Sequence, residues 1–532
     1  MKKFWIIFWG LLIVSSTTAQ TQKPCSSCLP EGITFIMQAQ IDSFQIKYPE
    51  CTEILGGVTI WGSDITNLNG LSVLTSIGEQ FLIYNNAALT SLTGLGNLTS
   101  IGSISISDNN ALTSLTGLEN LTTIGSDFSI YKNSALISLS GIYNLTSVGG
   151  NLSIGFYDEW VTTGNPSLTS LEGLENLASI GGFLRIASND ALTSLTGLEN
   201  LTTIGSDLII YSNSALISLS GIYNLTSVGG SLSIGFDNGW VTAGNPSLTS
   251  LEGLENLASI GGYLRISNNP ALTSLTGLVN LTSVGGSLAI VSNVALTNLT
   301  GLSNLTSIGG SLLIGDKWHG YGNPALTSLT GLENVTSIGG DLHIRENPAL
   351  TSLAGLDNVT AIGGDLHIYW NDALTSLSGL NNINGNSISE LRIYYNPLLS
   401  NCAVKSICDY LVSPNGTVEI HDNAQGCNSQ EEVEEACGFG VDDMVSYDKV
   451  IIYPNPSSDQ LIFQFTLNKP SKILLEVLNN TGQVVTVIDK SLSEGEQQVV
   501  WNAENMPTGL YFYRLTVTGE QPTATGKLMV VR

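Results

Sequence analysis

Positive charge is scarce in this chain: 18 Lys and Arg stand against 44 Asp and Glu in 532 residues, a formal net charge of -26, and charged residues of both signs make up only 12%. Nucleic acid and anionic membrane surfaces both call for a basic footprint, so neither is expected as a partner. Histidine is limited to His319, His343, His367 and His421. No cysteine occurs from residue 52 to residue 401; Cys25, Cys28 and Cys51 lie before that stretch, and Cys402, Cys408, Cys427 and Cys437 after it. Long apolar runs are missing after the N-terminus, which excludes a membrane-spanning helix from the mature chain.

The start of the chain has a different character. Lys2 and Lys3 precede an apolar run over residues 4–14 and a small, polar stretch ending at Ala19. Residues 1–19 therefore read as a secretory signal peptide, since eleven apolar residues cannot cross a bilayer. Export opens oxidising compartments, so disulfides are expected at both ends of the cysteine-free region. A zinc site at Cys25 and Cys28 lacks a second ligand pair. The odd cysteine count leaves one thiol over, placed in the N-terminal trio.

What fills the cysteine-free region is repetition. Residues 184–208, LRIASNDALTSLTGLENLTTIGSDL, set apolar residues on a grid that then restarts. The second apolar residue of L-x-I recurs fifteen times from Ile60 to Ile420, most often at steps of 24. A period of this size implies a solenoid, in which each turn buries its apolar edge against its neighbours. Twenty-four residues leave little room for a helix, so three short extended pieces per turn are expected: G-G-x-L-x-I, L-T-S-L and N-L-x-x-I-G. Gly197 and Gly205 fit corners that need positive φ or close backbone approach. Asn189, Asn213, Asn269, Asn293, Asn347 and Asn371 recur after the first piece, where stacked amides can satisfy buried backbone groups.

Residues 20–56 read as an N-terminal cap with a short helix covering the first turn, 57–400 as the repeats and 401–438 as a cysteine-containing C-terminal cap. Three longer loops interrupt the period. They begin at Phe156, Phe236 and Asp316, each 80 residues after the last, and carry Trp160, Trp240 and Trp318. Duplication of a three-turn block explains that spacing and sets the tryptophans about 14 Å apart along the stack.

The pattern L-x-I-x-x-N-x-x-L-x-x-L-x-G-L-x-N-L-x-x-I-G resembles bacterial leucine-rich repeats and the receptor L domain, the β-helical ligand-binding unit of growth-factor receptors. The resemblance covers about residues 51–425. It implies that Cys402, Cys408, Cys427 and Cys437 form two bridges, of open pairing, in a closing unit.

After an acidic linker over 439–449 the repeat stops. Alternation within residues 450–532 predicts a small antiparallel β-sandwich. This stretch is similar to the type A C-terminal sorting domain of the type IX secretion system of Bacteroidetes, through Tyr453-Pro454-Asn455-Pro456, Gly482, Gly509-Leu510-Tyr511 and the terminal residues from Lys527 to Arg532. The resemblance implies a partner in the type IX machinery, passage across the outer membrane, and an extracellular or surface-attached product. The expected fold is all-β: a leucine-rich-repeat-like β-solenoid of about 24-residue turns, capped at both ends, then the sandwich.

No catalytic constellation emerges, and neither a metal nor a cofactor is assigned. His343 and His367 recur 24 residues apart in GGDLHI with Asp341 and Asp365 beside them, a pair that repeat copying explains. Because strand side chains alternate faces, two outward columns follow. One holds Arg185, Arg265, His343, His367 and Arg392. The other holds Trp61, Tyr84, Tyr131, Tyr211, Tyr369 and Tyr394, whose rings either bind sugar or protein partners or pack over neighbouring turns. The expected function is a secreted or surface-displayed, non-enzymatic binding or adhesion protein with an extracellular protein or polysaccharide ligand. A structural or ice-active surface protein, on the regular Thr113, Thr193, Thr273 and Thr351, is the second reading. A polysaccharide-degrading enzyme is the third.

Overall fold

A computed structural model of the chain describes residues 27–158, 161–237, 242–315, 322–439, 450–467, 470–517 and 522–532. The expected signal peptide, Cys25, His319, and Trp160, Trp240 and Trp318 lie outside the described residues. The chain divides into two units at Val433 and Glu434.

The first unit is a parallel β-solenoid of about 16 turns. Its L-x-I segments form one ladder in strict register, so that Leu184 pairs with Leu208, then Leu232, then Leu264. A second ladder is built from pairs such as Ser179–Ile180, Thr203–Ile204 and Ser227–Val228. The third expected strand, L-T-S-L, does not form one. Its backbone makes single bonds to the turns on either side, Thr113 N to Thr90 O and Leu115 N to Ser140 O, rather than a continuous ladder. Between the ladders the grid of Leu, Ile and Val fills the interior, with Leu184, Ile186, Leu192, Leu195, Leu198 and Leu201 all fully buried.

The corners explain the polar letters of the repeat. Gly197 has φ +111°, and a Cβ there would lie 2.3 Å from Leu171 O; at Gly205 a Cβ would lie 2.1 Å from Gly181 O. Each ladder asparagine is buried and serves three turns at once. Asn189 Nδ2 donates to Ile154 O at 2.9 Å and Ala187 O at 3.1 Å, while its backbone N–H donates to Asn213 Oδ1 at 3.1 Å. The inserts keep this rule, because their G-N-P endings return Asn165, Asn245 and Asn323 to the same column. The asparagine of N-L-T forms another ladder, as where Asn200 Nδ2 donates to Glu175 O at 2.6 Å. Threonines tie turns together too, Thr351 Oγ1 donating to Thr327 O at 3.4 Å.

The N-terminal segment holds more than a cap. Ile33–Phe35 pairs with Val58–Ile60 as the first rung, one turn before the L-x-I series begins, because Ile-Thr-Phe keeps the alternation with Phe35 in place of the marker Ile. Two short helices, Gln38–Asp42 and Phe44–Lys47, follow. Their buried Ile41 and Phe44 close the core, with Phe44 set edge-on to Phe35 at 5.9 Å. A disulfide joins Cys28 to Cys51 across this first turn. At the other end the helix Lys405–Val412 buries Ile407, Tyr410 and Leu411 behind the last rung, Val418–His421. Cys402 bonds to Cys427, and Cys408 and Cys437 are disulfide-bonded as well.

In the second unit a three-stranded and a four-stranded antiparallel sheet share one core. Phe463 and Trp501 come from one sheet, and Leu475, Tyr513 and Leu528 from the other. Their alternate positions face each other as in a sandwich.

Candidate functional site

Outward positions of the rung strands fall into straight columns because the ladder never slips. Arg185 pairs between Ser153 and Ile209, Arg265 between Ser233 and Ala289, and His343, His367, Arg392 and Glu419 follow one another directly. Arg185 and Arg265 are therefore each three rungs from the next charged member, about 14 Å apart at strand spacing. The last four rungs bring most of the expected site residues that meet into one cluster. His343 and His367 stack at 4.5 Å with ring planes 4° apart. In the neighbouring column the Arg345 guanidinium lies 5.3 Å from the Tyr369 ring centre, Tyr369 stacks on Tyr394 at 4.7 Å, and Tyr394 on His421 at 5.1 Å.

Two tyrosines expected to be exposed are not. Tyr211 is buried, and Phe236, which opens the second insert, lies against it at 5.4 Å. Tyr369 is buried between Arg345 and Tyr394, its hydroxyl accepting from Arg345 Nη1 at 2.5 Å. Packing over adjacent turns is what these two rings do. Trp61 and Tyr84 stack at 6.3 Å near the opposite end of the solenoid, and Tyr131 stands apart from both groups.

The most exposed pair of rings at the C-terminal end comes from one position further along the strand. Trp370 and Tyr395 are 43% and 44% exposed and stack at 6.0 Å, 6° from parallel. Both sit in the left-handed region, with φ 57° and 53°. Most other turns fill this corner with a short polar side chain that tolerates the conformation, Asn85, Asp108, Ser188, Ser212, Asn268 or Ser292, and two with the longer Lys132 and Glu346. Trp370 also borders a groove of about 860 Å³ along the same corner, lined by Asn268, Ser292 and Glu346 together with Pro270, Pro324 and Pro348.

Charge is distributed unevenly over these rungs. Arg392 pairs with Glu390 and lies 3.4 Å from Glu419. Burial lowers the pKa of His367, against the raising effect of its hydrogen bond to Glu390. The hydrogen bond to Asp422, joined by one to Glu419, raises that of His421. Asp365 is pushed up by burial and by the neighbouring Asp341. Burial raises Tyr394 as well, with Tyr369 adding to it.

In the second unit, Asn455 binds the start of the domain to its last strand, donating to Lys527 O at 3.0 Å and accepting from Met529 N at 2.8 Å. Residues 451–531 match the family model of the secretion system C-terminal sorting domain. No curated protein matches the chain. The sorting domain directs the protein across the outer membrane by type IX secretion, to the cell surface or the extracellular space. Among the described residues no helix is long and apolar enough to cross a membrane. Within the sorting domain, Tyr453 Oη donates to Gln464 Oε1 at 2.8 Å; Tyr453 ends the first strand, Ile451–Tyr453, and Pro454, Asn455 and Pro456 follow it on the way to the strand Gln460–Leu467. Gly482, at φ 81°, closes the turn in which its N–H donates to Asn479 O. Gly509 opens the strand Gly509–Val517, and Tyr511 in it donates to Pro507 O at 3.0 Å and lies edge-on to Trp501. Arg532 donates to Glu504 O.

Trp370, Tyr395, Arg345, Glu390 and His421 were not among the residues singled out from the sequence. The aromatic dipeptides Tyr369-Trp370 and Tyr394-Tyr395, each directly before a ladder asparagine, are the signal that points to Trp370 and Tyr395; Arg345, Glu390 and His421 carry no such signal.

Proposed function

We propose that this is a non-enzymatic binding protein, displayed or released by its sorting domain, that takes a neutral polysaccharide along the corner of its last turns. The observation that carries the reading is the Trp370 and Tyr395 pair. A bulky ring at positive φ costs about 1–3 kcal/mol, and these two are half-exposed, each touching the preceding tyrosine edge-on. Flat apolar faces beside carboxylates and amides fit the stacking and hydrogen-bonding chemistry of sugars. The net charge of -26 disfavours an anionic chain. Adhesion is the matching role for a rigid array on the cell surface. The repeat pattern supports kinship with leucine-rich repeats and receptor L domains, whose solenoids also present ligand faces.

Affinity electrophoresis of the full chain through gels containing neutral polysaccharides, paired with glycan and protein arrays, tests this. Retardation that disappears in a Trp370→Ala, Tyr395→Ala double variant is expected. Silence on every glycan, or retardation unchanged in the variant, refutes it; a signal on proteins alone moves the ligand to that class.

A further inference from the structure

One cluster of ligating side chains lies beside the aromatic pair without belonging to it. Asp365, His367 and Glu390 present ligand atoms all within 4.8 Å of one another, with His367 Nε2 already 3.3 Å from Glu390 Oε1. Tetrahedral zinc holds N and O ligands at about 2.0–2.2 Å, which makes a ligand-to-ligand edge about 3.3 Å. One edge of such a site is therefore in place, and a rotamer change at Asp365 supplies the rest.

The column that Asp365 belongs to shows why its carboxylate is available. In most turns the side chain just before the rung strand accepts the backbone N–H of its successor; Phe183 and Tyr263 in the same column are exceptions. Asp127 accepts from Asn151 N, Asp207 from Ser231 N, Ser287 from Ser311 N, Ser311 from Asp341 N, and Asp341 from Asp365 N at 3.0 Å. At Asp365 this succession ends, and among the described residues no hydrogen bond reaches its carboxylate. The next turn places Glu390 there, whose longer side chain turns back toward His367.

We propose that Asp365, His367 and Glu390 form a binding site for a divalent transition ion of the zinc class. One imidazole and two carboxylates make a mixed N,O donor set that this class accepts. On binding, His367 Nε2 loses its hydrogen bond to Glu390 and offers its lone pair, the ring proton residing on Nδ1. The neighbouring His343 is not a ligand: its Nδ1 is engaged with Arg345 Nη2 at 2.6 Å, which leaves the proton on Nε2, 4.0 Å from Asp341 Oδ2. Arg392 competes with the ion by pairing with Glu390, and Glu419, 3.4 Å from its Nε, receives it when the ion enters.

Titration calorimetry of the full chain with ZnCl2 alone, with CaCl2 and MgCl2 as parallel arms, reads this directly. One zinc per chain is expected, with affinity at least tenfold weaker in Asp365→Asn and in His367→Gln, unchanged in His343→Gln, and stronger in Arg392→Ala. Circular dichroism of each variant establishes that it is folded. Absence of zinc binding, equal binding by Asp365→Asn, weaker binding by Arg392→Ala, or calcium and magnesium binding as tight as zinc overturns the assignment. Trp370→Ala retains the zinc affinity in either case, so this site and the polysaccharide corner stand or fall separately.

Discussion

Tyr369 and Tyr394 stack with ring centres 4.7 Å apart and planes 5° from parallel, the spacing of adjacent strands in the ladder that carries them. The backbone register alone brings the two rings into contact, and Tyr394 passes the stack on to His421. Each aromatic contact of this kind contributes about 0.5–1.5 kcal/mol beyond area burial. Tyr394→Ala removes both stacks and the edge-on contact with Tyr395 and uncovers Tyr369, so a loss of at least about 1–3 kcal/mol is expected. Tyr394→Phe keeps these contacts and should stay within about 0.5 kcal/mol of wild type. Urea denaturation of the two variants separates stacking from any contribution of the hydroxyl.

Trp370 and Tyr395 should behave in the opposite way. At φ 57° and 53° they occupy a corner where Asn85 and Asn268 sit in other turns. Replacing both by Asn relieves the left-handed strain, and a gain of up to about 1 kcal/mol is expected. Retardation by polysaccharide should vanish in the same protein. A variant that is more stable and no longer binds ties the strain to function, whereas one that is less stable shows that the rings support the fold. Denaturation midpoint and affinity electrophoresis, measured on one preparation, decide between these outcomes.

The solenoid was legible in the sequence because its constraints repeat. A buried Leu, a ladder Asn and a corner Gly each solve the same steric or hydrogen-bonding problem every turn, and periodicity exposes them. The rung Ile33–Phe35 falls outside the repeat pattern because Phe35 stands where the other rungs have Ile. Candidate site residues are less legible, since alternation states which side chains leave the core and not what then covers them. Tyr211 and Tyr369 point outward as expected and are nevertheless buried, one beneath Phe236 and the other beneath Arg345 and Tyr394. Trp370 and Tyr395 stand out in the sequence as the second members of aromatic dipeptides, but their strained corner is a property of the backbone that alternation does not encode.

Asn213 offers the sharpest test of the amide ladder. Its Nδ2 donates to Ile186 O and Tyr211 O at 3.0 Å each, and its Oδ1 accepts the backbone N–H of Asn189 at 3.1 Å. Asn213→Ala leaves these groups buried without partners, at about 1–3 kcal/mol for each unsatisfied group. A total loss of at least about 3 kcal/mol is expected, concentrated in the turns that contain residues 184–213. Hydrogen exchange followed by mass spectrometry should show faster exchange there and little change near residues 58–60. Uniform loss of protection along the whole solenoid would mean that the ladder does not act locally.

The two histidines at the C-terminal end should give stability opposite slopes with pH. Burial, the larger influence on His367, holds its pKa below the ordinary value near 6.5. The folded form therefore resists a proton that the unfolded chain accepts. The stability linked to His367 is present above that ordinary value and is lost as pH falls through the depressed folded one. His421 is raised, first by its hydrogen bond to Asp422. Its contribution is present below the ordinary value and is lost as pH climbs through the raised folded one. His421→Gln should therefore lower the urea midpoint at about pH 5 and leave it unchanged well above the raised pKa, while His367→Gln should blunt the acid-side loss of the wild type. Because His421 is largely solvent-accessible, its effect should also shrink in high salt. That of His367, set by burial, should persist. Midpoint differences between wild type and each variant, taken across this pH range at low and high salt, check the sign of both.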